Sequence, residues 1–136
     1  MKFINLLLAA VLSLGAAQAF ARATVPVVNH ENVVVERAGR PATATELRQA
    51  IMTASQATGR KWTVSESAPG HMVATYQVRT HTVVVDIRYG DGRLAMAYKD
   101  SVNMNYGVSG ATNIHPFYNQ WVNEFIQAIR VELARA

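Results

Sequence analysis

The chain contains no cysteine. That excludes a disulfide framework, a thiol nucleophile, a thiolate zinc site and the lipidated Cys of a bacterial lipoprotein. Charge is sparse: 16% of the residues are Asp, Glu, Lys or Arg, 13 basic against 9 acidic. No basic run exceeds Arg60-Lys61, so the basic stripe with exposed aromatics that suits nucleic acid is missing. Histidine occurs at His30, His71, His81 and His115, with no H-x-H or H-E-x-x-H spacing, whereas a metal centre needs three or four converging ligands. No metal and no cofactor is implied. The length of 136 residues is too short for two domains or a TIM barrel. What is present is apolar: 50% of the residues are hydrophobic, enough for a packed core and too many for a disordered chain.

The longest apolar run lies at the N-terminus. Lys2 is followed by Leu6-Leu7-Leu8-Ala9-Ala10-Val11-Leu12, and both Ala17-Gln18-Ala19 and Ala19-Phe20-Ala21 fit the small-x-small cleavage rule. Residues 1–21 read as a secretory signal peptide, cleaved after Ala19 or Ala21. A retained anchor helix is the alternative, but the run is short for a bilayer. Removal takes one lysine and no acid, so the net charge of +4 falls by one. With no lipidated Cys, no membrane anchor is expected. The expected address is a Gram-negative periplasm.

Residues 22–32 hold Pro26 and no period, and read as an N-terminal tail. The rest, 33–136, reads as a single α+β domain. Val33-Val34-Val35 suggests a strand. Thr43 and Glu46 make a capping box for a helix from about Thr45 to Ala57, with Leu47, Ala50, Ile51 and Ala54 on one face and Gly59 at its end. Alternation marks strands over Lys61–Glu66, His71–Arg79 and His81–Tyr89. Asp91-Gly92 predicts a two-residue type I′ hairpin pairing Tyr89 with Leu94, Ile87 with Met96 and Val85 with Tyr98. A turn at Arg79-Thr80 would pair Tyr76 with Val83, though its residues suit a tight turn poorly. Val102, Met104 and Tyr106 keep the apolar phase and suggest a further strand segment. Pro116 opens a second helix whose Phe117, Trp121, Phe125, Ile129 and Leu133 recur every four residues.

The order is β-α-β-β-β-(β)-α. An antiparallel sheet with one apolar face needs a cover. The expected fold is a two-layer sandwich, a sheet of 4–5 strands with two helices on one face and Trp121 docked over Val85, Ile87 and Met96. The opposite face would be wet, carrying Lys61, Thr63, Thr75, Gln77, Arg79, Asp86, Arg88 and Lys99.

Pro69-Gly70, the strand from His81 to Tyr89, the run from Tyr98 to Tyr106 and Ile114-His115-Pro116-Phe117-Tyr118-Asn119-Gln120-Trp121 resemble a group of small exported proteins and lipoproteins of proteobacteria with no assigned function. The resemblance spans Pro69 to Leu133. It implies an envelope location and a βββα core, and carries over no catalytic residue.

Chemistry is thin. Gly107-Val108-Ser109-Gly110-Ala111 is close to a nucleophile elbow, but that motif needs a hydrolase sheet and an oriented histidine base, and a flexible loop fits better. His81 reads as a strand-end residue and His115 as a helix-start residue. The densest polar group runs from Asp100 to Asn119, interleaved with tyrosines. From it, Ser101, Asn103, Tyr106, His115 and Asn119 form a ligand-site candidate for a small polar ligand. The same amides also suit loop and helix capping. No catalytic residue is assigned. The expected function is a non-enzymatic binding or envelope-support module whose partner is an envelope protein or a small polar ligand. The alternatives are a small enzyme using the Asp100–Asn119 cluster and a structural homodimer formed by edge-strand pairing.

Overall fold

The computed structural model describes residues 23–57 and 59–135; the leader assigned to residues 1–21 lies outside the described residues. In chain order the elements are β1 (Val25–Pro26), β2 (His30–Val34), β3 (Glu36–Arg37), β4 (Arg40–Pro41), α1 (Ala44–Ala57), β5 (Trp62–Ala68), β6 (His71–Val78), β7 (His81–Gly90), β8 (Arg93–Val102), β9 (Asn113–Ile114) and α2 (Phe117–Ala134). The main sheet has five antiparallel strands in the order β2-β8-β7-β6-β5. The fold is α+β.

The sheet's apolar alternation decides which face is covered. Met72, Ala74, Tyr76, Val83, Val85, Ile87, Leu94 and Met96 are buried, in one cluster with Leu47 and Ile51 of α1 and Phe125 and Ile129 of α2. Their neighbours His71, Val73, Thr75, Val84 and Asp86 are only partly covered. α1 starts at the tip of the β7–β8 hairpin, where Asp91 accepts the Ala44 N–H, and ends beside the start of β5, where Gln56 Nε2 donates to Trp62 O. Its 14 residues make about 21 Å of helix. Its start is the expected capping box: the Glu46 N–H donates to Thr43 Oγ1 and the Thr43 N–H to Glu46 Oε1, both at 3.2 Å.

The structure departs from these expectations at several places. The segment read as a tail carries β1, which pairs with β9, and the start of β2, an edge strand paired with β8. Its apolar residues are too few for a strand period to register, yet they find partners far along the chain. The hairpin register at Asp91-Gly92 is as expected. Only Gly92, at φ +71°, is left-handed, so the turn is not type I′, which needs both loop residues there. Asp91 accepts the Ala44 N–H at 2.8 Å instead. The Arg79-Thr80 loop is tight, with Val78 paired to His81 and Arg79 at φ +55°.

The strand expected over residues 102–106 is absent. The ladder skips Lys99 between the pairs Val85–Tyr98 and Val84–Asp100. That bulge inverts the phase, so Val102 is 57% exposed, and Asn103 and Asn105 then turn the chain at φ +57° and +55°. Along α2, Trp121 stays buried, and the sheet ring it meets is Tyr76, edge-on at 5.0 Å. Phe117 opens the stripe but is 52% exposed, because it lies beyond the end of the sheet, against His115.

Candidate functional site

Three segments distant in sequence meet at one end of the sheet. The first is the β6–β7 turn. The second is the left-handed turn at Asn103 and Asn105, whose Asn103 Nδ2 donates to Thr80 Oγ1 at 2.7 Å. The third is the entry to α2, where the His115 N–H donates to Met104 O at 2.8 Å. These bonds clamp the 103–105 turn between the other two segments. Behind them, the end of α1 delivers Arg60.

The clamp sets the two imidazoles. His81 Nδ1 lies 2.7 Å from Asn103 O; a carbonyl only accepts, so Nδ1 carries a proton. His115 Nδ1 accepts the Phe117 N–H at 3.1 Å, which leaves Nε2 as its proton-bearing nitrogen. The ring centroids are 6.3 Å apart. From His115 a chain of rings runs inward through Phe117 at 4.7 Å and on to Trp121 at 5.8 Å. The Arg60 guanidinium stands 5.7 Å over the Trp121 ring and donates from Nε to Glu124 Oε2 at 2.6 Å. That hydrogen bond holds the Glu124 carboxyl below its usual pKa.

Arg60, His81, His115, Phe117 and Trp121 line a cavity of about 320 Å³, completed by Val78, Arg79, Met104 and Gln120. Among the described residues its wall carries two arginines and two histidines and no carboxylate. Among the described residues no three His, Cys, Asp or Glu side chains are grouped to hold a metal ion.

The five residues singled out in the sequence divide among three places. His115 lines the cavity. Ser101, Asn103 and Tyr106 lie outside it, around a wider depression of about 640 Å³. There the Ser101 hydroxyl meets Tyr98 Oη at 2.9 Å, and Tyr106 stacks on Tyr98 at 4.2 Å. Asn119 belongs to neither. Its Oδ1 accepts the Val28 N–H at 3.0 Å and its Nδ2 donates to Pro26 O at 2.9 Å, which ties the N-terminal segment to α2. The Ser109 hydroxyl of the elbow-like loop pairs with the Thr24 hydroxyl.

Arg60, Arg79, His81, Phe117, Gln120 and Trp121 were not among the residues singled out. A basic pair after a helix end and a histidine beside a turn were visible signals. Their convergence depends on which turn α2 starts against, and no local pattern encodes that.

On the wet face, His71 Nε2 lies 2.9 Å and Lys99 Nζ 3.6 Å from Asp86 Oδ1. Burial works against the Asp86 carboxylate, but its partners outweigh it and hold its pKa below the usual range. His71 sits at the opposite end of the β6–β7 pair from His81. No helix of the described residues is long and apolar enough to cross a membrane.

No family model, no curated protein and no solved structure matches the chain.

Proposed function

We propose that the protein is an exported, non-enzymatic binding module of the bacterial envelope, and that it takes a small ligand in the cavity between the β6–β7 turn and the start of α2. Export rests on the leader pattern of residues 1–21. The binding reading rests on one observation: aromatic, basic and imidazole groups from three separate segments converge on one concave wall. The state of the polar cluster supports the non-enzymatic reading. The side chains of Ser101, Asn103 and Asn119 are engaged with Tyr98, Thr80 and the N-terminal backbone, and among the described residues no carboxylate lines the cavity beside its imidazoles to orient a base.

Chemical-shift mapping of the labelled mature protein against the small-molecule fraction of a periplasmic extract tests the site. Saturable shifts at the Trp121 indole and the His81, His115 and Phe117 amides are expected. Shifts confined to Ser101 and Tyr106, or to the wet face around Arg88 and Lys99, would move the site and overturn this assignment. For export, mass spectrometry of the periplasmic fraction is expected to find a chain beginning at Phe20 or Arg22. An intact Met1 chain held in the inner membrane would overturn that part.

A further inference from the structure

The geometry points to a specific ligand chemistry: we infer that the cavity takes a carboxylate carried on an aromatic ring. This inference rests on the binding reading above and goes beyond it by naming the ligand's class.

The charged half of the wall sets the sign. Arg60 is already engaged with Glu124 and Trp121. Arg79 differs: among the described residues its guanidinium has no hydrogen bond or ion pair, yet it lines the cavity. It is carried at φ +55° in a two-residue turn, a conformation that disfavours any residue with a Cβ. A glycine there would remove that strain and also remove the cation. With no acid on the wall to compete, an anion meets a planar five-donor fork suited to carboxylate geometry. The proton-bearing Nε2 of His115 is a further donor in the same wall, since its Nδ1 is committed to the Phe117 N–H.

The other half sets the body. Phe117 is left 52% exposed at the rim, with its ring 5.8 Å from that of Trp121. Two tilted rings and a thioether offer edge and face contacts that a flat ring uses better than a flexible chain does. A volume of about 320 Å³ lies at the small end of ligand pockets, right for one ring with a short acidic arm and too small for a nucleotide.

The test titrates the mature protein with phenylacetate, its neutral isostere phenylacetamide, hexanoate and inorganic phosphate, read at the Trp121 indole and the His115 amide. Phenylacetate is expected to bind saturably, and the other three about tenfold or more weakly. Arg79→Gln is expected to weaken phenylacetate by about tenfold without changing phenylacetamide, and Arg79→Lys to restore part of the loss. Equal binding of the amide overturns the charge assignment, and equal binding of hexanoate overturns the aromatic one. If none of the four probes shifts the cavity while the periplasmic fraction does, the ligand class is wrong and the binding site stands. If neither does, both fall.

Discussion

Glu46 ties the first turn of α1 to the β3–β4 hairpin. Its carboxylate accepts from both Arg40 terminal nitrogens at 2.7 and 3.2 Å, from Arg37 Nε at 3.0 Å and from the Thr43 N–H at 3.2 Å. The Arg40 hydrogen bonds foremost hold its pKa down to about 2, from 4.5 in the unfolded chain. A depressed folded-state value means the stabilisation is fully present above pH 4.5 and fades as pH falls toward 2. Glu46→Gln should therefore flatten the acid limb of the stability curve; an unchanged limb in denaturant melts across that range would refute it. Gly92 makes a sharper case. It is buried at φ +71°, and a Cβ would stand 2.9 Å from Pro41 Cβ. Left-handed strain and overpacking together put the loss for Gly92→Ala at about 2–4 kcal/mol, measurable by urea unfolding.

At the scale of elements, the hairpin tip and α1 are one unit. The Gly92 N–H donates to Ala42 O at 2.7 Å while the Asp91 carboxylate takes the Ala44 N–H. Asp91→Ala should cost about 1 kcal/mol, as loss of a capping acceptor does, and Asp91→Asn much less, since the amide keeps an oxygen. The pair separates capping from charge in equilibrium unfolding. α2 is held by its ring contacts. Phe125 is fully buried and stacks on Trp62 at 4.9 Å, so Phe125→Ala should cost about 3–5 kcal/mol. A loss under about 1 kcal/mol would mean that α2 docks through other residues. Both helices and the four strands β5 to β8 were legible, because period and turn chemistry act between near neighbours. The bulge at Lys99 was not. Nothing in Tyr98-Lys99-Asp100 marks an extra residue; the ladder imposes it where β7 and β8 must also accommodate the Asn103 turn.

Across the whole molecule, the N-terminal segment acts as a strap. β1 pairs with β9, Asn29 Oδ1 accepts the Tyr98 N–H at 2.9 Å, and Asn119 holds Pro26 and Val28. Asn119→Ala should lower stability by about 1–2 kcal/mol and speed amide exchange at Val28, while leaving phenylacetate binding unchanged. A loss of binding without faster exchange would return Asn119 to the ligand site. Fold class was readable at this scale because an antiparallel meander with one apolar face, flanked by two amphipathic helices, has few packings.

The sequence by itself determined what neighbours within a turn or a strand pair can decide. That covers the capping box at Thr43 and Glu46, the register of Tyr89 with Leu94 and the buried stripe from Trp121 to Leu133. Only the tertiary structure decided which residues share the cavity wall. It set Arg79 and His81 in one cavity wall with His115 and Phe117, residues more than thirty positions away, and it set the Asn119 side chain against the backbone of Pro26 and Val28. The physical reason is that a cavity wall is made by whichever segments the strand order and helix crossing bring together. Those depend on closing the whole core at once, whereas hydrophobic period and turn chemistry report only on the residues next to them.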